Sequence, residues 1–410
     1  MAGPARARLA RSAFTESHAL LCAMTLSRIP SARRLRRAAL RSVPLLARLG
    51  VLAFVLLALV PAPPRLSLGP PQTVETLHPK ICVHTRLTDE VEEWKVQRTL
   101  ALVREMGAPA IVEYFPWPYV DRGPGRYDWS HPDRILRHAE NQGLRVIARL
   151  GLVPVWARPP ADEKVTSLTY LPYDRFDEFA AFVGAFAARY RGRVHDIIIW
   201  NEPNLAFEWG SRPPDPEAYA DLLRLSYAAA HAANPEVRVL GGALAPTLEP
   251  ESSGFAMSDL VFLERLYAAG AAASFDALAV HTYGFTAPPD APPDPGAINF
   301  RRVELLRVIM ERHGDGDTPI VITESGWSDD PRWANGVRPG QRIAYTLAAF
   351  EQAAAWPWVE ALCLWNFRIP ADQANRRDAY FALVSSDFMR KPVYEAIQGY
   401  ARGWETPYTP

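Results

Sequence analysis

The chain has 410 residues, with 45 basic and 45 acidic side chains, a formal net charge of +0 and a hydrophobic fraction of 49%. That balance gives no overall pull toward nucleic acid or an acidic partner, and the apolar content is ample for two ordinary domains or one large barrel. Three cysteines are too few for a disulfide scaffold.

The neutrality is uneven. Residues 1–42 carry Arg6, Arg8, Arg11, Arg28, Arg33, Arg34, Arg36, Arg37 and Arg41 against Glu16. An apolar stretch at 43–60 follows and runs into Pro61-Ala62-Pro63-Pro64. A basic flank before an apolar run is the pattern of export, with the arginines retained on the cytoplasmic side. The expectation is a signal anchor at 43–60, with a cleaved signal peptide as the alternative. A Pro-rich linker at 61–79 would then lead to a folded domain at 80–405. That domain would lie outside the cytoplasm, attached to the membrane or secreted.

From Lys80 onward strand and helix patterns alternate. Apolar, β-rich runs occupy 81–85, 110–115, 145–150, 196–201, 237–242, 275–281, 319–324 and 359–366. Helical patterns are predicted near 90–106, 131–142, 174–191, 215–233, 258–270, 299–313, 338–355 and 391–402, and several end at a glycine, as at Met106-Gly107 and Ala269-Gly270. Near-continuous apolar strands indicate a parallel sheet covered on both faces, and eight strand-helix units fit a (β/α)8 TIM barrel. A doubly wound sheet fits less well, because no Gly-rich turn follows the first strand. Cys82 and Cys363 fall in the first and last strands, so barrel closure would make them neighbours. Packed thiols are the expected state there, with a bridge as the alternative.

In a barrel all strand ends meet at one mouth. Those ends carry His84, Glu113, Arg149, Asn201, Glu202, His281, Tyr283, Glu324 and Trp365, and Trp117, Trp156, Trp209, Trp327 and Trp333 follow in adjoining segments. Sugars present apolar C–H faces edged by hydroxyls, which suits such a mixture of carboxylates, amides and aromatic rings. Glycoside cleavage needs one carboxylic acid to protonate the leaving oxygen and a second carboxylate to attack or to activate water. Glu202 and Glu324 follow apolar runs, where a carboxylate is costly to desolvate, and so are the candidates for that pair.

Trp-Asn-Glu-Pro-Asn at 200–204 and Thr-Glu-Ser-Gly-Trp at 323–327 resemble the strand-four and strand-seven signatures of glycoside hydrolase clan A. His281-Thr282-Tyr283 resembles its strand-six element and Trp365 its strand-eight platform. Gly125-Arg126-Tyr127-Asp128-Trp129 and Lys391-Pro392-Val393-Tyr394 are similar to clan members like those of family 39. The resemblance implies a retaining glycosidase acting on an oligo- or polysaccharide. Glu202 would be the acid/base, Glu324 the nucleophile, Asn201 a contact to the sugar 2-hydroxyl, and His281, Tyr283, Trp365 and Trp327 supporting or binding groups. One departure is plain. Many clan members carry an arginine at the end of strand two, where this chain reads Val112-Glu113-Tyr114-Phe115. Arg149, at the end of strand three, is the candidate to supply that charge, and Glu113 either binds a sugar hydroxyl or pairs with a rim arginine such as Arg122.

Blander readings stand beside these. A lone Asn-Glu-Pro can be a helix start, and His281 alone can be a structural histidine. No metal-ligand spacing such as H-E-x-x-H occurs, and no cofactor is demanded. The alternatives to hydrolysis are a non-catalytic glycan-binding barrel at the cell surface and a transglycosylase using the same residues.

Overall fold

The computed structural model describes residues 44, 47–52, 54, 68–159, 167–370 and 377–405. It divides into two compact units, Met1–Ser67 and Leu68–Pro410. In the first, residues 47–52 are helical. The basic segment 1–42 and most of the anchor expected at 43–60 lie outside the described residues. Among the described residues no helix is long and apolar enough to cross a membrane.

The second unit is a closed barrel of eight parallel strands in sequential order. The strands are β1 (Ile81–His84), β2 (Ala110–Pro116), β3 (Arg145–Gly151), β4 (Asp196–Ile199), β5 (Arg238–Leu244), β6 (Ala277–Tyr283), β7 (Ile320–Gly326) and β8 (Val359–Leu364). Helices Glu93–Met106, Ser130–Asn141, Phe176–Arg189, Pro216–Ala233, Asp259–Ala268, Val303–Arg312, Pro339–Ala355 and Pro392–Arg402 surround them. Their ends follow local chemistry. Gly107 closes the first of these at φ 92°, a left-handed conformation that glycine adopts without a Cβ clash. Asp215 opens Pro216–Ala233 by accepting a hydrogen bond from Ala218 N, with Pro216 in the first turn.

Strand parity separates two cores. Cys82, Ala110, Val112, Ile147, Ile198, Leu240, Ala277, Ala279, Val321, Ala361 and Cys363 form a buried cluster of their own, the barrel interior. The alternate strand residues join the larger cluster between sheet and helices. Aromatic packing dominates that outer layer. On Phe176–Arg189 the rings of Phe179, Phe182 and Phe186 recur at helical spacing and meet Trp117, Trp129 and Trp200. Burying each such side chain contributes roughly 1.5–3 kcal/mol.

Two expectations are corrected. The linker does not extend to residue 79. Gln72 N donates to Asn141 O at 2.7 Å, Leu77 N donates to Ala401 O at 2.7 Å, and His78 stacks on Tyr400 at 3.9 Å. Backbone groups satisfied in this way belong to the domain. Cys82 and Cys363 are joined in a disulfide rather than packed as thiols. They stand directly opposite in the β1–β8 register, with both side chains facing the interior.

Candidate active site

The site continues the inward-facing rows of the barrel. Cys82 is followed two residues on by His84, Val112 by Tyr114, Ile147 by Arg149, Ala279 by His281, and Cys363 by Trp365. Side chains two apart share a face of a strand, so these five rise from the interior to the C-terminal mouth. The two glutamates need local irregularities to join them. Along β6 and β7 the register shifts between Val280 and His281, so that His281 stands opposite Glu324. That extra residue in β7 brings Glu324, instead of Thr323, onto the inward face. After β4, Trp200 (φ 72°) and Glu202 (φ 42°) adopt left-handed backbone, which breaks the alternation. The Trp200 indole turns outward against Phe179 and Trp209. Glu202 N donates to Ala243 O at 3.1 Å, and Asn204 is buried, bonded to Ala245 and to Met257 O. The Trp-Asn-Glu-Pro-Asn motif therefore has two anchors, Trp200 and Asn204, that present Asn201 and Glu202.

Arg149 is the hub of the site. Its Nη1 donates to Glu324 Oε1 at 2.7 Å and to Asn201 Oδ1 at 2.5 Å, and its guanidinium lies over the Tyr114 ring at 4.7 Å. Tyr283 donates its hydroxyl to Glu324 Oε2 at 2.9 Å. Burial works against charge on Glu324, but His281, Arg149 and His84 outweigh it and hold its carboxyl at about 2. His281 Nδ1 lies 2.8 Å from Glu202 Oε1 and 3.7 Å from Glu324 Oε2. Burial opposes a charge on His281, yet the two carboxylates outweigh it and raise its pKa. Burial and the neighbouring Arg149 push His84 down to about 3, so it is neutral. The Tyr283 hydroxyl is raised well above its ordinary range by burial and by Glu324.

Oxygens of Glu202 and Glu324 and a nitrogen of His281 all lie within 4.8 Å of one another. This trio is spaced closely enough to hold a metal ion. Arg149 already brings a positive charge to Glu324 at hydrogen-bond distance, which opposes a second cation there and suits the trio to proton and nucleophile chemistry. The cavity above has a volume of about 370 Å³ and includes His84, Arg149, Asn201, Glu202, Glu324 and Trp365 in its lining. Tyr114, Tyr119 and Glu208 also line it.

Four expected site residues are absent from the cavity lining: His281 and Tyr283 act on it through their contacts to Glu202 and Glu324, whereas Glu113 and Trp327 stand apart from both glutamates. Glu113 neither binds there nor pairs with Arg122, which instead bonds Asp128. Its neighbours Val112 and Tyr114 face inward, so Glu113 faces outward, fully buried, and accepts from Thr85 Oγ1 at 2.5 Å and from Leu87 N and Thr88 N at 3.0 Å. It fixes the segment after β1 that forms one wall of the cavity. Trp327 is buried against Phe300 and Tyr345 and donates to Ala287 O. A Cβ on Gly284 would meet its indole at 2.1 Å. Trp117 and Trp209 are likewise packing residues. Glu208 carries no strand-end signal, because it lies in the segment after Glu202; an acid between Phe207 and Trp209 is all the sequence offers.

No protein-family model matches the sequence, and no curated protein matches it. Solved structures do. A family 39 glycoside hydrolase from the gut symbiont Bacteroides cellulosilyticus WH2 superposes with a TM-score of 0.64 at 20% identity, over 81% of this chain and 65% of that one. A monomeric beta-xylosidase from Caulobacter crescentus CB15 gives 0.58 at 20%, over 80% and 69%. The family 39 enzyme from Xanthomonas axonopodis pv. citri gives 0.58 at 19%, over 83% and 71%. The chain thus spans just under two thirds of the first of these proteins, and its (β/α)8 barrel has the fold of the family 39 glycoside hydrolases.

Proposed function

We propose that the chain is a retaining glycoside hydrolase that cleaves β-type O-glycosidic bonds of an oligo- or polysaccharide through a covalent glycosyl-enzyme. The observation that carries this reading is the approach of Glu202 and Glu324, with oxygens within 4.8 Å. Retaining pairs stand ~5 to 5.5 Å apart, whereas inverting pairs need ~6.5 to 9.5 Å to admit a water. Glu324, ionised beside Arg149 and Tyr283, attacks the anomeric carbon as the bond to the leaving oxygen breaks. Glu202 gives that oxygen its proton. Water then attacks the same carbon, Glu202 takes the water's proton, and Glu324 departs as a carboxylate. Arg149 joins nucleophile and Asn201 in one network, so it orients Glu324 from strand three. The likeness in fold to a beta-xylosidase supports β-linked sugars as the substrate class.

The test is turnover of a panel of aryl β-glycosides by the full chain and by Glu324→Ala. The expected result is loss of activity in the variant and its recovery with azide, giving a glycosyl azide of inverted configuration. An active variant, or one that azide cannot rescue, contradicts the assignment.

We also infer that the barrel works outside the cytoplasm, attached through its N-terminal segment or released from it. The arginine-rich residues 1–42 ahead of the apolar 43–60 support this. Protease added to intact cells should digest the barrel or find it in the medium; full protection inside the cell contradicts the inference.

A further inference from the structure

The cavity holds a third carboxylate that double displacement leaves unused. Glu208 lines the same space as Asn201, Glu202, Arg149 and Glu324. Its backbone is fixed on both sides: Glu208 N donates to Leu205 O at 3.1 Å, and its carbonyl accepts from Trp200 Nε1 at 2.8 Å. The Asn201 side chain, whose Oδ1 accepts from Arg149, stands beside the carboxylate and favours its charge. Arg149, the nearby cation, makes its ion pair with Glu324 instead. Burial, and then the charge of Glu202, push the Glu208 carboxyl up to about 7 against the pull of Arg149. A half-buried carboxylate in this setting is short of donors, and a ligand bearing hydroxyls supplies them.

A second group points to a ligand in the same space. His84 is 2% exposed, lines the cavity, and has no hydrogen-bond partner at either ring nitrogen. Being neutral, it offers one donor and one acceptor to whatever fills the cavity. A polyhydroxylated ring meets both needs. A sugar with its own carboxylate does not, because it would face the carboxylates of Glu208 and Glu324 with Arg149 already engaged.

On the glycosidase reading above, we propose that Glu208 is a specificity-determining residue: its carboxylate accepts a hydrogen bond from a hydroxyl of the bound sugar, and with Glu324 it excludes uronic acids. The site then takes neutral glycosides in preference to glycuronides of the same ring configuration.

The test uses the full chain and two readouts. Hydrolysis is followed with 4-nitrophenyl β-xyloside, β-glucoside, β-galactoside and β-glucuronide. Binding is followed by calorimetry with the corresponding 1-thio-glycosides, which resist cleavage. The best-bound neutral thioglycoside should exceed the thioglucuronide by at least about 10-fold in affinity. Glu208→Gln should weaken the neutral ligand by about 10-fold, raise KM with little change in kcat, and narrow the gap to the glucuronide. Glu208→Asp, which keeps the charge, should preserve the discrimination and serves if the Gln variant fails to fold. Unchanged affinities and an unchanged gap in the variants, a wild type that prefers the glucuronide, or no binding of any thioglycoside would overturn the proposal. Thioglycosides bound in the expected pattern without any aryl glycoside being hydrolysed would sink the glycosidase reading and leave the role of Glu208 standing.

Discussion

At the residue scale, this sequence has no arginine at the end of strand two but places one at the end of strand three, within reach of Glu324. Tyr114 and Arg149 are paired in the β2–β3 register and both face inward, so a guanidinium from β3 reaches Glu324. Replacing Arg149 with Met leaves Glu324 buried without the cation that bonds it directly, so its carboxyl should rise from about 2. On the proposed mechanism Glu324 attacks as the carboxylate, so the acid limb of kcat/KM against pH should move upward, with a loss of roughly 100-fold or more at neutral pH. An unmoved acid limb would remove Arg149 from the mechanism. Glu202→Ala should harm natural linkages far more than aryl glycosides with good leaving groups, since those depart without a proton. Equal losses on both would argue against Glu202 as the acid. Glu202 and Glu324 were legible because a carboxylate ending an apolar run is conspicuous. Glu208 and the outward turn of Glu113 were not, since they depend on a loop path and on strand parity.

At the element scale, the eight strands and the eight surrounding helices stand where hydrophobic period and glycine punctuation place them, to within a few residues. What periodicity does not supply is the β7 irregularity that turns Glu324 inward or the left-handed Trp200 and Glu202. Aromatics in the loops read as possible sugar platforms, but Trp117, Trp209 and Trp327 are too well matched to the helix layer to remain exposed. The segment after β1 carries a pH-dependent hold. Burial raises Glu113 from an ordinary 4.5 to about 7, against hydrogen bonds from Thr85, Leu87 and Thr88. A carboxyl raised on folding contributes stability below the unfolded pKa and loses it as pH rises through the folded one. Stability should therefore fall between about pH 4.5 and 7, by at most about 3 kcal/mol from this group. In Glu113→Gln that part of the slope should vanish, as read from denaturant midpoints at pH 5 and 8. The same slope in both proteins would contradict it.

At the scale of the whole molecule, the disulfide joins residues separated by 281 positions and so closes the barrel at its β1–β8 seam. Alkylation of the unfolded, unreduced chain should label Cys22 alone, and Cys82→Ser with Cys363→Ser should cost about 2–5 kcal/mol of stability. Labelling of all three cysteines would show the seam held by packing alone. Sequence could place the two cysteines on neighbouring strands but not in register, which decides whether they bond. The barrel brings strands four and seven to one mouth, and on that meeting the functional account rests. It is tested most directly by incubating the full chain with a 2-deoxy-2-fluoro aryl β-glycoside whose leaving group is activated, then mapping the labelled peptide by mass spectrometry. One fluorosugar per chain, bonded to Glu324, is the expected result; a label on Glu202, or an active enzyme that never becomes labelled, would overturn the assignment of Glu324 as nucleophile.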